Sequence, residues 1–246
     1  MRTAALGRND PRITGNKTMN GFIFYRGASP IDGAPLIGIA TLESENRKTG
    51  NMVQTWIFRE DISPTMARST GADRSHCGDC SVRDVCFVNW GQAPDSIFRA
   101  YHRGGYIDLR RKPSMMRRIV SGRTVRMGAA GDPAMIPLQH WLRVLEGAEG
   151  WTGYSHQWRE PWAQPMRELT MASVESLEDQ DLARSMGWRT YRIRRPDDAL
   201  ATNEIACPSD TQGRKCIDCM ACDGALKPSA ASVAIVVHGS KASRWN

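Results

Sequence analysis

The sequence predicts an α/β fold on a mostly parallel sheet, wound as a small or incomplete β/α barrel, with an N-terminal hairpin and two cysteine-rich metal loops. Three observations predict it. From residue 123 onward, β-rich runs alternate with helical runs at the spacing of βαβ units. Ahead of them, "APLIGIATLE" and "NMVQTWIFRE" flank the polar "SENRKTG", a hairpin pattern in which Gly50 can take positive φ. The seven cysteines fall into two groups with none standing alone. An open doubly wound sheet is the alternative winding.

Taken in order, residues 1–18 are polar, carry Gly and Pro, and read as a flexible arm; residues 19–246 read as a single α/β metal-binding domain. After the hairpin, "DISPTMARST" opens as a short helix and runs into a loop bearing the first cysteines. "APDSIFRAYHRGG" is a helix stopped by Gly104 and Gly105, and "KPSMMRRIVSG" a shorter one with Pro113 in its first turn. "RTVRMGAAGD" is a strand ending in a Gly-rich turn. "PAMIPLQHWLRVLEGAEG" is an amphipathic helix with Leu138, Trp141, Leu142 and Leu145 on one face. "WTGYSHQW", "ELTMASVES", "WRTYRIRR" and "SVAIVVHGS" are strands. The helix "LEDQDLARSMG" has Ser176 as its cap and Gly187 as its stop.

With 41% hydrophobic residues in 246, the chain can bury a full core. It has no apolar run of about 18 residues, so no membrane span is expected. The N-terminus lacks the apolar core of a signal peptide, so a cytoplasmic location is expected. Net charge is +7, and arginine supplies 27 of the 33 basic residues. Guanidinium forks suit phosphate and carboxylate, which points to an anionic partner.

In parallel α/β folds, functional groups gather where strands end. The strand ends here carry Asp132, His156, Glu175 and His238 as candidate catalytic residues. Arg126, Gln157 and Arg194 are the candidates for holding an anionic substrate. "GAAGDPA" is neither a Walker loop nor GxGxxG. Its Gly128 and Gly131 allow either close approach of a ligand to the backbone or a plain tight turn.

The first cysteine group is Cys77, Cys80 and Cys86, with His76 adjacent; the second is Cys207, Cys216, Cys219 and Cys222. With no signal peptide, an odd count disfavours disulfides and favours metal. Three thiols at successive x2 spacing suit the corners of a four-iron iron–sulfur cube better than one tetrahedral zinc, which stays the alternative. If Cys207 joins the second group, that group is closed. The first is then left with three thiols and His76 as a candidate fourth ligand. If Cys207 closes the first group, the second keeps an open corner.

The stretches "CGDCSVRDVCFVNWGQAP", "VRMGAAGDPA", "GYSHQW", "MASVES", "CPSD" and "CIDCMACDG" resemble the phage gene-88-product-like family of phages and mobile elements. The resemblance spans about Asn46 to Gly239. It implies one metal-binding fold working inside a bacterial host cell, and names no activity. A looser resemblance is to radical S-adenosylmethionine enzymes, where "AAGDP" is similar to a Gly-Gly-Glu-Pro strand end with Asp132 in the Glu place. That would imply S-adenosylmethionine as cofactor, but the family's Cys-x3-Cys-x2-Cys is absent.

Two functions are therefore expected. One is an iron–sulfur protein with redox or radical-type chemistry on an anionic substrate at the strand ends. The other is a nucleic-acid-binding or host-protein-binding module with the metal as a staple. Arg110, Arg111, Lys112, Arg117 and Arg118 lie in the densest basic stretch and are its candidate phosphate contacts. Trp141, Trp151, Trp158 and Trp162 are candidate stacking platforms.

Overall fold

A computed structural model describes residues 19–226, 230–238 and 242–245; the arm expected over 1–18 lies outside them. The strands are β1 (Gly21–Ala28), β2 (Pro35–Thr41), β3 (Val53–Arg59), β4 (Ile107–Asp108), β5 (Thr124–Ala130), β6 (Gly150–Ser155), β7 (Met171–Val174), β8 (Thr190–Arg194), β9 (Glu204–Ala206) and β10 (Ser232–Val236). The helices are α1 (Pro64–Thr70), α2 (Arg74–Cys77), α3 (Ala93–His102), α4 (Pro113–Val120), α5 (Leu138–Leu145), α6 (Leu177–Ser185), α7 (Pro208–Gln212) and α8 (Cys216–Cys219). Short 3-10 segments add Pro133–Met135 and Pro161–Glu168.

All ten strands join one sheet in the order β4-β1-β2-β3-β5-β6-β7-β8-β10-β9. β2 is antiparallel to both neighbours, which makes the expected hairpin with β3; the other pairings are parallel. β3, β5, β6, β7 and β8 sit side by side in that order, while β4 lies at the far edge beside β1. There is no reversal of the kind that marks a doubly wound sheet. Buried residues of α4, α5, α6 and Pro161–Glu168 all join one core with Val125, Met127, Ala172 and Val174, so these crossovers cover one face. Parallel neighbours with crossover helices on one side are a feature shared with β/α barrels, here in a sheet whose edge strands are β4 and β9.

Side chains alternate between faces along a strand. The residues between those core positions point the other way. On that second face α3 packs with Phe98 and Tyr101 against Ile37, Ile39 and Phe58. Val82 and Val85 of the first cysteine loop pack against Met171, Tyr191, Ile193, Val233 and Ile235. The first face thus carries the crossover helices, and the second carries α3 and the cysteine loops.

Several local expectations hold. The Ser176 hydroxyl accepts from the Asp179 N–H at 3.0 Å and caps α6. Gly50 takes φ +73° in the hairpin loop. The helix expected from residue 133 is split: Pro133–Met135 is a 3-10 turn, Ile136 and Pro137 are extended, and α5 starts at Leu138. Pro137 disfavours the α conformation in the residue before it, which separates the two pieces. This rotates the buried face to Trp141, Val144 and Leu145, leaving Leu142 exposed.

The outer face also buries an ion pair. Arg192 on β8 meets Glu204 on β9 at 2.6 Å, with side chains 3% and 0% exposed. Gln180 and the Ala201 N–H complete the carboxylate's partners at 2.8 and 2.9 Å. Arg192→Leu leaves that carboxylate buried without its counter-charge. The expected loss is about 3–5 kcal/mol, read as a lower denaturation midpoint. The double substitution Arg192→Leu, Glu204→Leu is expected to recover most of it.

Candidate functional site

A cavity of about 330 Å³ lies on the loop-covered face. Its sheet wall is made of the inward positions Arg126, Thr152, Tyr154, Tyr191, Ile193 and Ile235. Its rim is the turn at 128–132 with His156 and His238. Its roof is the first cysteine loop, which brings Cys77, Cys80 and Cys86 to the cavity with Phe87 and Trp90.

The roof is tied to the strand exits by hydrogen bonds. The Asp132 N–H donates to the His76 carbonyl at 2.8 Å. The Gln157 Nε2 donates to the Cys77 carbonyl at 3.2 Å. Gly78, at φ +66°, lies so close to Gln157 that a Cβ there would overlap its side-chain amide. The loop's base is braced by Asp73, whose carboxylate is 2% exposed and takes Arg68 and Arg83 at 2.9 Å each. Phe87 stacks on His238 with centroids 4.5 Å apart, closing the loop onto the end of β10. The His238 Nδ1 lies 2.9 Å from the Val236 carbonyl.

The second group sits in its own niche, bordered by Cys207, Cys216, Cys219 and Cys222. Cys207 reaches it because β9 pairs with β10, where the Cys207 N–H donates to the Ala234 carbonyl at 2.7 Å. Arg189, 5% exposed, clamps the loop from below: it donates to Asp223 and to the carbonyls of Gly224, Ala221 and Ala231 at 2.7–2.9 Å. Cys207, Cys216, Cys219 and Cys222 border the niche, and Cys77, Cys80 and Cys86 form the cavity roof. Cys216, Tyr154 and Tyr191 border both spaces. The two tyrosine rings lie 4.2 Å apart, between niche and cavity.

All seven thiols are free. Burial pushes Cys77 well above the usual thiol range and Cys80 and Cys222 up to about 12, and neighbouring thiols add to it. Around Cys216, burial again raises the value and Arg126 opposes it. Such thiols stay protonated unless a further cation enters, and a coordinated metal deprotonates a thiol outright. A soft, all-sulfur donor set with too little positive charge of its own fits a thiophilic metal or iron–sulfur cluster. Among the described residues, no three His, Cys, Asp or Glu side chains converge on one point as ligands of a single ion do.

Asp132 borders the cavity, but its carboxylate is occupied. It accepts from the Ala134 N–H at 2.9 Å, the Ser155 hydroxyl at 2.8 Å and the His156 N–H at 2.7 Å. Burial pushes it up to about 6 against those bonds. It positions the rim and the roof. The His156 Nε2 is buried without a partner, 3.9 Å from a Glu175 oxygen that is also unpartnered. Burial pushes His156 down to about 4 and Glu175 up, so the two meet as a neutral imidazole and a carboxyl with raised proton affinity.

No protein-family model, curated protein or solved structure matches the chain.

Of the other expected site residues, Arg126 and His238 border the cavity and two do not. Gln157 braces the roof. Arg194 donates to the carbonyls of Arg195, Pro196 and Asp198 at 2.8–3.2 Å, so it holds its own loop. His76 packs edge-on against Phe58 and Trp90 and does not border the cavity. Arg111, Lys112, Arg117 and Arg118 are exposed on α4 and its lead-in. Arg110 pairs with Asp108 at 2.8 Å and Arg117 with Glu146 at 3.0 Å. Trp141 and Trp158 are fully buried, so they pack the core and offer no stacking surface. Thr152, Tyr154 and Tyr191 were not expected at the site. Their signal is parity, since Thr152 pairs in register with the inward Arg126.

The raised Asp132 carboxyl sets a pH dependence. A buried acid raised from about 3.8 to about 6 adds stability in full below the unfolded value, and that stability is lost as pH rises through about 6. The stability of the unsubstituted protein relative to Asp132→Asn is expected to fall by up to about 3 kcal/mol between pH 4 and 7. Chemical denaturation of both proteins across that range measures it.

Proposed function

We propose that the protein is a redox protein with two iron–sulfur clusters, the first of which acts on a small molecule bound in the cavity. One observation carries the reading: Cys77, Cys80 and Cys86 roof a 330 Å³ cavity, while Cys207, Cys216, Cys219 and Cys222 share a niche beside it, with Cys216 bordering both. Four thiols close a four-iron cube, and three leave one corner without a protein ligand. Cys216, Cys219 and Cys222 at successive x2 spacing suit such a cluster better than one zinc. Cys77, Cys80 and Cys86 would hold such a cluster, which would supply single-electron chemistry beside the cavity.

The chain's own residues supply the surroundings. Val82, Val88, Trp90, Ile193 and Ile235 line the space with apolar surface and exclude water. Arg126 offers positive charge to an anionic substrate. His156, neutral and on the wall, can take or deliver a proton. Asp132 and Gln157 keep the roof in register with the rim.

The second reading is a nucleic-acid-binding module stapled by metal. The exposed basic face of α4 favours it. It leaves the cavity and the three-to-four division of the thiols without a role, so it ranks below the first.

Anaerobic purification followed by iron and acid-labile sulfide analysis tests the proposal. Equal iron and sulfide are expected, roughly four of each per thiol group. Cys216→Ala with Cys219→Ala is expected to remove about half of both. Colourless protein with stoichiometric zinc would overturn the reading.

A further inference from the structure

The cavity has a polarity along the strands. At one end the first thiols and Asp132 sit where β5 and β6 exit. At the other end Arg126 lies near the start of β5, in register with Thr152, and close enough to Cys216, Tyr154 and Tyr191 to favour their charged forms. From Arg126 to the end of β5 at Ala130 is up to about 13 Å along the strand.

Charge is as uneven as position. Lys48, the other cation on the wall, is held by Asp210 at 2.8 Å. Arg126 has no carboxylate partner among the described residues. The one acid on the wall, Asp132, is spent on three donors. The floor thus presents a single unneutralised guanidinium in a confined space, where its charge is strengthened by poor solvation.

At the thiol end the unmet needs are different. The Trp90 Nε1 and the His156 Nε2 are both buried without a partner, and both side chains line the cavity. A buried polar atom left unpaired costs on the order of 1–3 kcal/mol, which a ligand atom can recover. Between the two ends the walls are apolar and aromatic.

We propose that the cavity takes an organic anion with a flat apolar body, its carboxylate or phosphate seated on Arg126 at the floor. Its uncharged end, carrying a hydrogen-bonding group, then meets Trp90 and His156 beside the first cysteine group. This deepens the reading of the cavity as the reaction chamber and rests on it. Of the three residues expected to hold the anion, Arg126, Gln157 and Arg194, it keeps Arg126 and places the site at the floor. The reacting end is thereby the end remote from the charge.

The test uses the full-length, anaerobically purified protein with three probes of one shape: 2-naphthoate, 2-naphthyl phosphate and the neutral 2-naphthamide. Binding is read from quenching of tryptophan fluorescence. At least one anion is expected to bind about tenfold or more tighter than the amide. Arg126→Gln is expected to erase that difference and Arg126→Lys to keep it. Adding a hydroxyl at the far end, as in 6-hydroxy-2-naphthoate, is expected to tighten binding, with the gain lost in Trp90→Phe. Equal binding of anions and amide, or no binding of any, overturns the proposal on the unsubstituted protein alone. A preference that survives Arg126→Gln overturns the floor site, and no gain from the hydroxyl overturns the orientation. Iron and sulfide are assayed on the same samples. Anion preference in a protein that holds only zinc sinks the redox reading and keeps the anion site, whereas no preference in an iron-loaded protein sinks the anion site alone.

Discussion

The site hangs on Asp132. Its carboxylate takes the Ala134 N–H, the Ser155 hydroxyl and the His156 N–H, which locks the exit of β5 to the exit of β6. Its own N–H holds the His76 carbonyl, one residue before Cys77. A single residue therefore fixes two strand ends and the start of the thiol roof. Gln157 adds the Cys77 carbonyl from the β6 side. The position of three thiols over the cavity follows from these bonds, as does the orphaned Nε2 of His156, whose backbone is held by the same carboxylate.

The two thiol groups are held by different means. The roof loop is braced by charge: Arg68 and Arg83 converge on the buried Asp73. The niche loop is braced mainly by carbonyls on the buried guanidinium of Arg189, with Asp223 beside them. Arg83 sits within the roof loop itself, between Cys80 and Cys86, and feels the charge of Cys77. Burial raises the proton affinity of Cys77, Cys80, Cys207, Cys216 and Cys222; Lys48 opposes it at Cys207 and Cys216, and Arg126 at Cys216. The tyrosine pair between the groups keeps the two spaces distinct while sharing a wall.

Periodicity made much of this legible. The βαβ rhythm located β5 to β8 and β10, the hairpin was plain, and the Ser176 cap is as expected. Asp132, His156 and His238 were found because strand exits gather polar groups. What position alone cannot supply is direction. Gln157 and Arg194 end strands as expected, but local carbonyls capture their side chains. Tyr154 and Tyr191 went unnoticed because an inward tyrosine in an apolar strand looks like core. β4 and β9 are two and three residues long, too short for a period to show. The missed β9 mattered most, since its long-range pairing with β10 brings Cys207 to the niche.

That assignment is the centre of the account, and cluster spectroscopy of single cysteine variants tests it most directly. Protein loaded with iron-57 and sulfide is compared by Mössbauer and electron paramagnetic resonance spectra for Cys207→Ala, Cys222→Ala and Cys77→Ala. The account predicts that Cys207→Ala perturbs the same centre as Cys222→Ala and leaves intact the one lost in Cys77→Ala. A Cys207→Ala spectrum that matches Cys77→Ala would contradict it, by placing the open corner in the niche and not on the cavity.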